Sequence, residues 1–449
     1  MNKRTFLKTS SVLVTGTLLS PLVSCKHHGA VRRNWAGNFE YHADQLHQPE
    51  TVEQVQQLVK NLNQLKALGT RHSFNGIADS MANQISLRNL DQVIALDQKS
   101  NTVTIGAGMT YGTLSPYLYE KGYALHNLAS LPHISVVGAC STATHGSGVK
   151  NGNLSTAVSA LEIVTGDGEV IVLSREKDGE QFLGAVVGLG GLGVVTKITL
   201  DIQSTFDVRQ DVFLNLPMQQ LKDHFDEIMS SGYSVSLFTD WTSQNVNQVW
   251  VKRRITDGST NALPSGFFGA VAATKDVHPI IEISSENCTE QMGIPGPWHE
   301  RLPHFKMNFT PSSGKELQAE YFVHRQHAVE AILAIDRIHD QVSPLLQISE
   351  VRTIDADRFW MSPCYDQPSV TIHFTLKQDW PNVQKLLPVI ERELAPFNAR
   401  PHWAKLFTMA PSPLQSLYKK LPDFLKLVKR YDPKGKFRNE FLDKNVYGW

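Results

Sequence analysis

The sequence predicts an α+β fold in two parts. A glycine-rich mixed α/β region spans residues 32–205, a region built on a mostly antiparallel sheet spans 206–400, and a C-terminal segment, 401–449, follows. Three observations carry that expectation. Short apolar runs punctuated by glycine fill the first region, as strands between tight turns do. Longer alternating runs separated by helical patterns fill the second, the arrangement of an α+β sheet rather than of repeated βαβ units. Finally, 41% hydrophobic and 19% charged residues over 449 positions is the composition of a folded chain with a sizeable core, not of a disordered or coiled-coil one.

Ahead of both parts, Met1 to Ser24 reads as an export signal. Lys3, Arg4 and Lys8 precede the apolar run Val12 to Val23, which is too short for a permanent membrane span. Asn2 to Lys8 resembles a twin-arginine signal with Lys in place of the first Arg, and Leu22-Val-Ser-Cys25 resembles a lipobox. The expectation is a bacterial periplasmic or envelope protein, tied to the membrane only by a lipid on Cys25.

In the first region, Thr51 to Leu62 has Val52, Val55, Leu58, Val59 and Leu62 at helical spacing, with Thr51 as its start. Strands are expected at Lys66–Gly69, Ile85–Leu87, Val93–Leu96, Thr102–Ile105, Ala160–Val164, Val170–Leu173 and Val194–Ile202, and a second helix at Thr110–Glu120. In the second region, strands at Val208–Leu214, Gln248–Arg253, Gln318–Val323, Gln347–Val351 and Ser369–Lys377 alternate with helices at Met218–Ser230, Arg325–Val342 and Val383–Leu394. Gly258 to Asn308 is rich in Pro, Gly, Ser and Thr and reads as loops over a pocket. The tail holds a helix at Leu421–Tyr431.

Several function classes drop out. Lys+Arg and Asp+Glu balance at 43 each, which argues against a nucleic-acid binder. The four cysteines (Cys25, Cys140, Cys288, Cys364) have no CxxC spacing, so neither a disulfide scaffold nor a zinc site is expected. Among 17 histidines there is no HExxH, and no metal is expected.

The chemistry concentrates in glycine-bearing turns. Ala67-Leu-Gly-Thr-Arg-His-Ser73 ends a strand in consecutive backbone N–H groups beside an Arg and a His, a suitable cradle for a pyrophosphate. Leu128 to Gly148 packs small residues almost continuously, which lets backbone approach a flat ligand. Val187-Gly-Leu-Gly-Gly-Leu-Gly-Val194 mimics a dinucleotide fingerprint, but a strand pattern follows it where a helix would be needed.

Together these stretches resemble the FAD-binding domain of the vanillyl-alcohol oxidase superfamily. Within it the chain is similar to the alditol (xylitol) oxidases, with the sugar-1,4-lactone oxidases next. The resemblance runs from Asn34-Trp-Ala-Gly-Asn38 to Tyr431-Asp-Pro-Lys-Gly-Lys-Phe-Arg-Asn439, and its most specific motifs are Gly69-Thr-Arg-His-Ser-Phe74 and Ala129-Ser-Leu-Pro-His-Ile-Ser135. It implies a two-subdomain FAD-binding fold with a substrate (cap) domain, the C-terminal segment returning to both. It implies FAD joined covalently to His72 through the flavin 8α carbon, and the pyrophosphate held by Ala67, Leu68, Gly69, Thr70, Arg71 and Ser73. Ser130, Ser135, Gly138, Thr142, Ala143, Thr144, His145 and Val194 match cofactor-lining positions, and Ser130 also faces substrate. A covalent flavin makes sense for an exported protein, which could not recover a lost cofactor.

In the second region, Ser369 to Lys377 alternates. Val370, Ile372, Phe374 and Leu376 face one way, while Thr371, His373, Thr375 and Lys377 face the other. Pattern alone reads the polar face as solvent-exposed. Glu350 and Arg352 share a strand face, though Ile348 lies on it too, and Pro401 to Lys405 read as extended puts Trp403 and Lys405 on one face. The resemblance makes Glu350, Arg352, Thr375, Lys405 and Ser130 polyol ligands, and His373, Lys405 and Arg352 the catalytic groups. Glu accepts from hydroxyls, Arg and Lys donate, and Thr does either. It implies oxidation of a terminal CH2OH to the aldose, with O2 or another acceptor taking the electrons. His373 is the easier base, since an imidazole titrates near neutrality unaided, and Lys405 stays open as the alternative. A sugar-1,4-lactone substrate also remains open.

Overall fold

The computed structural model describes residues 31–255, 266–309 and 315–448. The export signal and Cys25 lie outside the described residues. Among the described residues no helix is long and apolar enough to cross a membrane.

Chain patterning becomes structure first at Val52–Asn61, a helix whose Val55 and Val59 are wholly buried. Thr51 Oγ1 caps it, accepting from the Gln54 N–H at 3.2 Å. Burying two valines contributes about 1.5–3 kcal/mol each. The helix packs beside a small parallel sheet ordered Gln45–His47, Asn83–Ile85, Lys66–Ala67. The expected strand at Ile85–Leu87 is therefore Asn83–Ile85, and the one ending at Gly69 stops at Ala67.

The larger part of the first region is a five-stranded antiparallel sheet, ordered Val93–Asp97, Thr102–Gly106, Val194–Asp201, Val158–Val164, Val170–Ser174. Its core takes in the C-terminal segment. The helix Leu421–Tyr431 buries Leu421, Phe424, Leu427, Val428 and Tyr431, one helical face, in the same cluster as Val103, Ile105 and Leu161.

Residues 207–401 form a second sheet, antiparallel throughout. Its central order is Asp207–Pro217, Asn245–Arg254, Ser234–Thr239, Leu346–Ile354, Ser369–Lys377, Glu316–His324. Helices Met218–Met229, Ala328–Asp336 and Trp380–Leu394 cover one face with an apolar core that includes Val370, Ile372, Phe374 and Leu376. The opposite, polar face of the Ser369–Lys377 strand is out of solvent over most of its length: Thr371, His373 and Thr375 are buried, and only the terminal Lys377 is exposed. A buried polar face must be satisfied by partners, and those partners make the site.

Candidate active site

A cavity of about 740 Å³ takes its walls from both sheets. One wall is the turn after Lys66–Ala67. None of the backbone N–H groups of Gly69, Thr70, Arg71, His72 and Ser73 has an acceptor among the described residues. The neighbouring amides are spent: Leu68 N donates to Ile85 O and Phe74 N to Ala404 O. Arg71 has φ 65°, the left-handed conformation that turns successive N–H groups inward as an anion cradle. The second wall is the short helix Val136–Ser141 that starts at Ser135. A Cβ on either Gly69 or Gly138 would come within 2.6 Å of Ser135 Oγ, so two glycine backbones close on one hydroxyl. Behind this wall the Lys66 ammonium, fully buried, donates to Gly190 O (2.9 Å) and Phe437 O (3.0 Å), anchoring the glycine-rich loop that precedes the strand Val194–Asp201.

His72 stands at the end of the cradle. Its ring lies 4.5 Å from that of Trp35, and its Nδ1 is 3.3 Å from His133 Nε2. Burial, then the nearby Lys405 charge, hold its pKa well below the usual imidazole range. A neutral ring keeps a lone pair for bonding.

The opposite wall is the polar face of three adjacent strands. Register places Glu320, His373 and Glu350 side by side, and Gln318, Thr375 and Ile348 in the next row. Ile348, which blurred the sequence pattern, lines the cavity as an apolar tile in that row. Glu320 is the hub. Its Oε1 lies 3.1 Å from Arg352 Nη2 and 3.0 Å from His145 Nε2, and its Oε2 lies 3.2 Å from His373 Nδ1. Burial alone would raise the Glu320 carboxyl, yet His145, His373 and Arg352 hold it well below the usual carboxylate range. The same contest leaves Glu350 ionised: burial raises it, and Arg352 and His304 bring it well down. His373 Nε2 is 3.2 Å from Thr375 Oγ1. Lys405 donates to Gln318 Oε1 and sits 4.7 Å over the Phe74 ring. Desolvation lowers its pKa to about 8, against the pull of Glu320 and Glu316.

This cavity gathers Ala67 to Ser73, Ser130, Ser135, Gly138, Thr142, Thr144, His145, Glu350, Arg352, His373, Thr375 and Lys405. Ala143 and Val194 do not reach it. Val194 is fully buried against Val55, Val59 and Ile85, and strand alternation gives its place on the wall to Gly193 and Val195. Ala143, with φ 55°, packs into the first core. Trp403 is a further correction. Only Arg400–Pro401 is extended, so His402, Ala404 and Lys405 line the cavity while Trp403 turns away, donating to Met361 O at 2.7 Å.

Sequence reasoning missed Glu320, Gln318, His304 and His402. The first two had a signal: Glu316, Gln318 and Glu320 alternate with Leu317, Ala319 and Tyr321 just as Ser369–Lys377 alternates. His304 had none, since it lies in the proline-rich stretch without periodicity.

A family model described as FAD binding domain matches residues 43–174, and one described as D-arabinono-1,4-lactone oxidase matches 302–445. An alditol oxidase of Streptomyces sp. (strain IKD472 / FERM P-14339) is 46% identical over 414 residues, 91% of this chain and 97% of that one. The L-gulonolactone oxidase of Mus musculus is 24% identical over 446 residues, covering 94% and 99%. Among solved structures, cholesterol oxidase from B. sterolicum superposes with a TM-score of 0.75 at 14% identity, over 93% of this chain and 96% of that one. The fold is thus the FAD-binding fold of vanillyl-alcohol and cholesterol oxidases, carrying a mixed helical and antiparallel cap.

Proposed function

This chain belongs to the alditol oxidase family of FAD-dependent oxidoreductases, and from that premise we propose that it oxidises the terminal CH2OH of a sugar alcohol of the xylitol or sorbitol type to the aldose. The observation that carries the reading is the buried row Glu320–His373–Glu350, facing the same cavity as the His72 turn. FAD, when bound, would supply the two-electron acceptor for the hydride from C1, with O2 as the oxidant that is reduced to H2O2.

The residues present fit that cofactor. Five unpaired amides from Gly69 to Ser73 would hold the pyrophosphate, and the neutral His72 ring would carry the covalent link. His373 is favoured as base. The ionised Glu320 accepts a hydrogen bond from His373 Nδ1–H, which leaves Nε2 with the lone pair that accepts the C1 hydroxyl proton. Thr375 steers that nitrogen, Glu350 accepts from substrate hydroxyls, and Arg352, Lys405 and Ser130 donate to them. Lys405 is left to balance developing negative charge.

Anaerobic xylitol or sorbitol should bleach the flavin, and an O2 pulse should restore the colour with formation of H2O2. Bleaching by L-gulono-1,4-lactone alone would instead favour the lactone reading, which the lactone-oxidase match over 302–445 keeps in play. A slow response to O2 would point to a quinone or cytochrome acceptor; Ala129, beside Ser130, lines the cavity.

Two further readings have their own checks. Acid-precipitated wild-type protein should remain yellow, and His72→Ala should release all colour to the supernatant. The chain is read as an exported envelope lipoprotein on the strength of Met1 to Cys25; mass spectrometry of natively expressed protein should find a lipidated Cys25 at the N-terminus.

A further inference from the structure

Glu350 is held by a device that the reaction itself does not explain. Lys252, on the strand Asn245–Arg254, is 1% exposed. Its ammonium donates to Leu302 O (2.6 Å) and Pro303 O (2.8 Å) and lies 3.3 Å from His304 Nδ1. Three protons meet three acceptors. As an ammonium Lys252 has no acceptor capacity to offer, so His304 Nδ1 presents its lone pair to it and the ring proton sits on Nε2. That nitrogen lies 2.7 Å from Glu350 Oε1. The other carboxylate oxygen, Oε2, has no hydrogen-bond partner among the described residues. Phe238 and Trp250 pack edge-on against the imidazole, with centroids 5.4 and 5.3 Å away, and fix its plane.

We propose that Lys252 and His304 are positioning residues for substrate recognition: Lys252 sets the His304 tautomer, and His304 Nε2–H pins one oxygen of Glu350 so that the other is presented to substrate hydroxyls. The inference rests on Glu350 being a polyol ligand. In the opposite tautomer, the bare Nε2 would face Glu350 Oε1, lone pair against lone pair, and the carboxylate would rotate away. Burial supports the arrangement by pushing the His304 pKa down to about 4, which keeps the ring neutral at pH 7. It also lowers Lys252 to about 7, against the pull of Glu350.

Two near-isosteric variants of the flavin-loaded enzyme separate positioning from packing. His304→Gln retains an amide donor for Glu350 and an oxygen for Lys252; His304→Leu retains only volume. In stopped-flow flavin reduction with xylitol and sorbitol, His304→Leu and Lys252→Met should raise the substrate dissociation constant by ~10-fold or more, beyond any fall in the limiting rate. His304→Gln should recover most of that loss. Equal dissociation constants for the Leu and Gln variants would overturn the proposal.

A measurement without substrate guards the conclusion. Histidine-selective 15N spectra, with His304→Gln supplying the assignment, should show the wild-type proton on Nε2 and a shift toward Nδ1–H in Lys252→Met. A wild-type Nδ1–H tautomer would overturn the proposal even if no polyol reduces the flavin, an outcome that would instead refute the assigned substrate.

Discussion

His373→Ala is expected to slow anaerobic flavin reduction by saturating xylitol by about 10²–10⁴-fold, the usual contribution of a positioned general base. The substrate dissociation constant should move far less, because Glu350, Arg352 and Thr375 are still in place to bind hydroxyls. His373→Asn should be nearly as slow, since an amide cannot take the proton. A variant that reduces flavin within a few-fold of wild type would transfer the role to Lys405, whose ammonium is already drawn down to about pH 8.

The second large effect is expected at Glu320, a residue that need not touch substrate. Its carboxylate faces Arg352, His145 and His373, each within 3.2 Å, and all four side chains are buried. Glu320→Gln keeps the shape and removes the charge, which takes from Arg352 the nearer of its two buried counter-charges and leaves Glu350 Oε1 at 3.5 Å. A loss of about 3–5 kcal/mol in unfolding free energy follows from breaking one partner out of such a cluster. Chemistry should suffer too, because the Gln amide can offer a donor to His373 Nδ1 and so push the ring proton onto Nε2, where the base must be free. Reduction at saturating substrate should fall by ~10²-fold or more, with Glu320→Asp partly restoring it. Thermal unfolding and stopped-flow reduction of the purified variants check the two effects separately.

The same carboxylate has a pH signature whose sign follows from its partners. Its folded pKa lies below the unfolded value, so Glu320 stabilises the protein fully above pH about 4.5. That stabilisation is lost as pH falls through the folded pKa. Wild type should therefore lose stability more steeply below pH 4 than Glu320→Gln does; parallel curves would mean that the carboxylate is not held down by its buried partners.

Periodicity was enough for most individual elements because each is decided within a few residues. Val55 and Val59 needed only helical spacing, and Ser369–Lys377 needed only alternation, to become what they are. Alternation told the two faces of Ser369–Lys377 apart and put His373 and Thr375 on one of them, but it was the family resemblance that assigned these two, Glu350 and Arg352 to the site. Where the backbone leaves regular geometry, the reading failed. Trp403 and Lys405 were placed on one face by assuming extended backbone, but the strand ends at Pro401 and the turn that follows sends the two side chains in opposite directions. Val194, carried over from the resemblance, points into the core instead, because successive strand residues face opposite ways and its neighbours Gly193 and Val195 line the cavity.

Local sequence thus settled which faces are polar, where the glycine turns lie, and that a flavin-sized ligand is expected between them. It could not say whether the polar face of Ser369–Lys377 meets water or protein. That depends on Glu316–His324 and Leu346–Ile354 pairing on either side of it, contacts between residues 15 to 61 positions apart along the chain. Strand register, which is non-local, brought Glu320 beside His373 and carried Lys252 through His304 to Glu350. Only the assembled sheet turned an amphipathic strand into a buried ionic row, because a charge removed from water persists only where tertiary structure supplies its counter-charge.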